Sequence, residues 1–94
     1  MSKRDEYIEK MKLQLDEVNA RMNELQAKAQ AAKQDARDTY EAEIAKLRQQ
    51  SQLALAKLDE LRVAGEDTWE TMVAEMEKIR DAFTHSFHYF KSQL

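Results

Sequence analysis

The sequence predicts an all-α protein with coiled-coil packing, and three observations carry that expectation. The 94 residues contain no proline and one glycine, Gly65, so few positions can end a helix. Apolar residues recur in alternating steps of three and four. Charged residues make up 35% of the chain, and with Ala, Glu, Lys, Leu, Gln and Arg dominant the profile is that of long helices. One domain over residues 1–94 is expected.

The first element starts at Ser2, which suits a helix N-cap with Asp5 three residues on. Its seam runs Ile8, Met11, Leu15, Val18, Met22, Leu25, Ala29, Ala32, Ala36, a heptad a/d pattern over four heptads. The seam goes on as Tyr40, Ile44, Leu47, Ser51, Ala54, Leu58, Leu61. Ala36, Tyr40 and Ile44 are spaced four and four, a one-residue skip that relaxes the supercoil locally. Nothing in residues 30–39 carries turn chemistry, so one helix is predicted over residues 3–64, about 93 Å long at 1.5 Å per residue.

Gly65 is expected to end that helix as its left-handed C′ residue. Asp67 then caps a second helix over residues 67–92, with Glu70 completing a capping box. The second seam is Trp69, Met72, Met76, Ile79, Phe83, Phe87, Phe90. Folded back at Gly65, the two seams match in layers. Leu61 meets Trp69, Leu58 meets Met72, Leu47 meets Phe83, Ile44 meets Phe87 and Tyr40 meets Phe90, while Lys57 and Glu75 flank the seam as an opposite-charge pair.

The second helix is too short to cover residues 8–36. Leaving that seam in water forgoes ~1.5–3 kcal/mol for each large side chain, and a small domain commonly gains cover by association. Ile8, Met11, Leu15, Val18, Met22, Leu25, Ala29, Ala32 and Ala36 are therefore expected to form an oligomer interface. A parallel dimer would set Lys28 against Lys33. An antiparallel homodimer sets Leu15 on Ser51 and Arg21 by Glu43, with residue numbers summing near 66 and an Ala-rich waist. The competing architecture is a monomeric three-helix bundle turning near residues 33–36, with sums near 69. The dimer is in effect its domain-swapped form.

These residues also bear a resemblance. Met-Ser-Lys-Arg-Asp-Glu-Tyr-Ile-Glu-Lys-Met-Lys at the start, Asp-Thr-Tyr-Glu at 38–41, Lys-Leu-Asp-Glu-Leu at 57–61 and Asp-Thr-Trp-Glu at 67–70 resemble small bacterial proteins described only as coiled-coil domain proteins. The resemblance covers most of the chain and implies a helical hairpin with no assigned activity. The aromatic tail from Phe83 to Phe90, with its two histidines, departs from that pattern.

Charge and motifs bound the chemistry. The net charge is −3. Residues 65–94 are acidic and no basic stripe runs along any face, so nucleic acid is not an expected partner. There is no cysteine, hence no disulfide or thiolate metal site. The charged N-terminal stretch has no apolar core of the kind a signal peptide needs, and a cytoplasmic location is expected. Asp81, His85 and His88 lie at i, i+4 and i+7 and could offer a metal two imidazoles and a carboxylate. No fourth ligand accompanies them, and a solvated helix face is the simpler reading. Phe83, Phe87, Tyr89 and Phe90 could dock on a membrane surface or partner, but core packing fits their spacing better, and their surroundings lack the lysines of a lipid-binding helix. Met11, Met22, Met72 and Met76 lie on the seams as core. No catalytic triad, phosphate loop or convergent carboxylate pair is present, so neither a catalytic site nor a cofactor is expected. The expected function is a non-enzymatic structural or interaction module, a homodimeric scaffold or adaptor with an unidentified protein partner. The alternative is an amphipathic, apolipoprotein-like protein of a lipid surface or granule.

Overall fold

A computed structural model describes residues 2–93 as three helices: α1 (Lys3–Gln30), α2 (Gln34–Arg62) and α3 (Glu66–Gln93). No strand occurs among the described residues. Each helix has an apolar stripe of the width one face requires, and the stripes close on one another around a single core. The bundle is a short rod of 51 × 21 × 18 Å.

Helix α1 begins as the sequence predicts, with the Asp5 N–H donating to Ser2 Oγ at 3.2 Å. The expected single helix over residues 3–64 is instead two helices. Ala31–Lys33 reverse the chain, and α2 packs antiparallel along α1. The physical reason is the seam. Doubling back lets one chain cover Ile8, Met11, Leu15, Met22, Leu25 and Ala29, all of which are buried without a second copy. Val18, Ala32 and Ala36 are half-buried. The two-helix hairpin is thus replaced by a three-helix bundle.

The register between α1 and α2 also differs from that expected of the dimer. Ser51 is buried against Asn19, its hydroxyl donating to Asn19 Oδ1 at 2.7 Å. That places Ser51 beside Asn19, one turn beyond the expected Leu15, in the register of the monomeric bundle. Arg48 reaches across the same groove to Asn23 and Gln26. Within one chain Arg21 pairs with Glu17 in its own helix at 3.0 Å and Glu43 with Lys46 at 3.4 Å.

The second turn departs from expectation in detail. α2 stops at Arg62, where the Val63 N–H bonds to the Glu60 carbonyl and the Ala64 N–H to that of Leu61. Helix α3 starts at Glu66, so Asp67 lies in its first turn and does not cap it. Gly65 is not at positive φ, so the left-handed C′ role does not arise. Its carbonyl accepts instead from the Thr68 N–H and from Thr68 Oγ1, each at 3.2 Å.

Helix α3 packs antiparallel to α2 much as the seams require. Tyr40 and Phe90 meet edge to face, centroids 5.8 Å apart, and Lys57 forms an ion pair with Glu75. Ile44, Leu47, Leu58, Leu61, Met76, Phe83, Phe87 and Phe90 are buried, and Tyr40, Trp69, Met72 and Ile79 pack against them at the edge. Helices α1 and α3 run parallel, joined through Tyr7 on Trp69 and Arg80 with Gln14.

Candidate functional site

Two grooves flank α3, and they divide the residues that the sequence singles out. The groove between α2 and α3 has a volume of about 560 Å3 and is lined by Lys46, Leu53, His85, Ser86 and Tyr89 among others. Leu53 and Tyr89 are 63% and 65% exposed, so its rim is apolar. The groove between α1 and α3 is about 320 Å3 and is lined by Gln14, Arg21, Arg80, Asp81 and His88 among others.

The arrangement separates the metal candidates. Positions i, i+4 and i+7 share one helical face about 60° wide. Its two edges border different grooves: His85 lines the α2 groove, while Asp81 and His88 line the α1 groove. Asp81 is also engaged by Arg80 at 2.9 Å. No group of three potential metal-ligating side chains forms among the described residues. A zinc site needs at least three converging protein ligands, and these residues do not supply them.

Titratable groups with shifted affinity lie at helix seams. Partial burial and the nearby Glu77 carboxylate push the Tyr7 phenol above its ordinary range, and its O–H donates to Glu77 Oε1 at 3.4 Å. Hydrogen bonds to Glu75 and Glu60 hold the Lys57 ammonium above its own. Both shifts favour the protonated form and suit bonds between helices. Neither produces a poised acid or base near neutral pH.

Lys28 and Lys91 share a depression with Arg21 and Glu24. They stand in the last turns of α1 and α3, where cations offset the negative ends of two parallel helix dipoles. That role accounts for the local positive charge without a ligand. At the other end Arg4 lies over the Trp69 ring, 4.8 Å from its centroid.

The Asn19–Ser51 pair was not predicted from the sequence as a contact. Ser51 is the one polar member of an otherwise apolar α2 seam, and that was the available signal. Leu53 at the groove rim had none, since a single off-seam leucine on a helix is ordinary.

The fold defines a class, the antiparallel-wound three-helix bundle with an apolar core and shallow grooves between its helices. No protein-family model, curated protein or solved structure matches this chain. Among the described residues no helix is long and apolar enough to cross a membrane.

Proposed function

We propose that this protein is a non-enzymatic structural module, a helical rod that serves as spacer or adaptor and assembles with a second copy of itself. The observation that carries the reading is how the chain uses its side chains. Nearly all its apolar seam residues are spent on one continuous core. Its ion pairs mostly join neighbouring turns of one helix, as the exposed pairs Arg21–Glu17 and Lys46–Glu43 do. Such pairs solubilise and straighten a helix, each contributing only ~0.2–0.5 kcal/mol. The chemistry-bearing residues Asp81, His85 and His88 are divided between two open grooves, an arrangement suited to surface contact and not to bond making.

Circular dichroism tests the reading against a lipid-surface role. A structural module is fully helical in buffer, melts cooperatively, and keeps its helicity and midpoint when anionic vesicles are added. A weak, non-cooperative helix signal that rises strongly on vesicles would overturn the proposal in favour of an apolipoprotein-like protein.

A further inference from the structure

We infer that the Ala31–Lys33 turn is a hinge through which two copies exchange α1, so that the bundle interconverts with an extended antiparallel dimer in which α1 and α2 are one continuous helix. The inference deepens the assembly reading above and rests on it, naming the partner as a second copy and the route as exchange of a helix.

The turn is made of residues that prefer helix. Ala31, Ala32 and Lys33 include no Gly, Pro, Asn or Asp, the residues whose chemistry makes turns. Ala is the best helix former and Lys is among the better ones. Ala31 is still in the αR region, at φ −81° and ψ −9°. Lys33 has a helical φ of −62° and leaves the helix through its ψ of 151°. Returning that ψ to about −42° removes a large part of the difference between bend and helix.

The bend also leaves backbone groups unsatisfied by side chains. Helix α2 has no side-chain N-cap bond; the Lys33 carbonyl takes up the Ala36 N–H at 3.0 Å, which leaves the Gln34 and Asp35 N–H groups without a cap. In a continuous helix they would bond to carbonyls at the end of α1. The Val63–Gly65 turn is held more firmly, since Thr68 bonds the Gly65 carbonyl through both its N–H and its hydroxyl at 3.2 Å, whereas the first turn has one exposed side-chain bond among the described residues, Arg37 Nη2 donating to the Ala32 carbonyl at 3.4 Å. Exchange is therefore confined to the first turn.

Straightening preserves what holds the bundle together. The contacts Asn19–Ser51, Arg48–Asn23 and Tyr7–Glu77 all join α1 to α2 or α3, so each re-forms between copies after exchange. The seam stays in phase through the hinge as Ala29, Ala32 and Ala36, ahead of the skip at Tyr40. Small side chains there let two long helices cross closely at a waist. Lys33, Asp35, Arg37 and Asp38 give that waist both signs of charge. The two forms thus differ only at the hinge and waist, and protein concentration sets the balance between them.

Gln34→Pro is the discriminating variant. Gln34 is the first residue of α2, where proline is welcome, and Lys33 before it already has the extended ψ that a following proline demands. In the continuous helix the same proline would lie in the interior, where it breaks the hydrogen-bond ladder. Full-length protein is refolded at about 1 mM, a concentration that favours association by mass action, then sized by light scattering. Wild type is expected to yield a stable fraction at twice 11.0 kDa, and Gln34→Pro at least tenfold less of it. In that fraction the largest dimension by X-ray scattering approaches about 90 Å, as 60 helical residues require, against 51 Å for the bundle. Spin labels at Lys10 of the two copies lie about 70 Å apart, at opposite ends of an antiparallel pair. Should Gln34→Pro fail to fold, a Gly-Ser-Gly-Gly insertion after Ala32 relaxes the short turn and is expected to lower the dimer fraction likewise. Wild type at 11.0 kDa throughout, or variants that dimerise as fully as wild type, would overturn the hinge. Variants that dimerise as fully as wild type would overturn the hinge alone, whereas a monomeric wild type would remove self-assembly from the proposed function as well and leave only the vesicle-insensitive melt of the structural module.

Discussion

At Gly65 a single backbone angle decides what a substitution does. A helix-ending glycine in the left-handed region resists replacement, but Gly65 is not at positive φ and a methyl group there would meet nothing within 4 Å. Gly65→Ala is therefore expected to stabilise the bundle by ~0.4–1 kcal/mol, through fewer conformations in the unfolded chain. Urea unfolding checks this, and a loss of stability would mean that the turn needs glycine after all. Trp69 is the complementary case. It is half-buried, edge-on to Tyr7 at 5.8 Å and capped by Arg4. Complete burial of an aromatic would make Trp69→Ala cost ~3–5 kcal/mol. The exposed edge lowers the expectation to about 2 kcal/mol, the sum of partial burial and the aromatic contact. A cost below ~0.5 kcal/mol in the same unfolding experiment would remove Trp69 from the stabilising contacts.

At the scale of helices, polar bonds across the seams fix which faces meet. Buried Ser51 and half-buried Asn19 satisfy one another between α2 and α1 at 2.7 Å, whereas a shift of one turn would set Ser51 against a leucine and leave its hydroxyl unpaired. Tyr7 and Lys57 tie α3 to α1 and α2 in the same manner, and both have proton affinities raised in the folded state. A group whose folded value exceeds its unfolded one stabilises the fold below the unfolded value and loses that contribution as pH rises through the folded one. For Tyr7 and Lys57 those ordinary values are 10.0 and 10.5. Thermal stability is expected to be flat with respect to these two groups near neutrality and to fall above pH 10. Tyr7→Phe should soften the alkaline fall. An unchanged alkaline limb in that variant would show that Tyr7 does not couple α1 to α3.

For the molecule as a whole, the periodicity of the seams was legible and the path of the chain between them was not. Residues Ile8 to Ala29 and Ile44 to Leu61 announce two apolar faces at helical spacing, and the structure buries both. The pairings of Tyr40 with Phe90 and of Lys57 with Glu75 follow from folding α3 back along α2, and both contacts form. The turn at Ala31–Lys33 was expected only in the competing architecture, near residues 33–36, because its residues favour helix and the a/d seam passes through it without a break. The division of Asp81, His85 and His88 between two grooves was likewise hidden, since a helical wheel shows a shared face but not the neighbours on either side of it.

What the sequence determined by itself is local: helix throughout, the seams, the Ser2 cap and an acidic chain without glycine or proline before Gly65. Those follow from propensity, periodicity and charge, each readable within a few residues of the position concerned. What only the tertiary structure decided is where the long apolar seam finds its cover. Burial favours any arrangement that removes the α1 face from water, and the free energy depends on area and not on which segment supplies it. A bend at three helix-forming residues brings that cover from the same chain, and the small local cost of leaving helical geometry there is offset by the core that closes behind it.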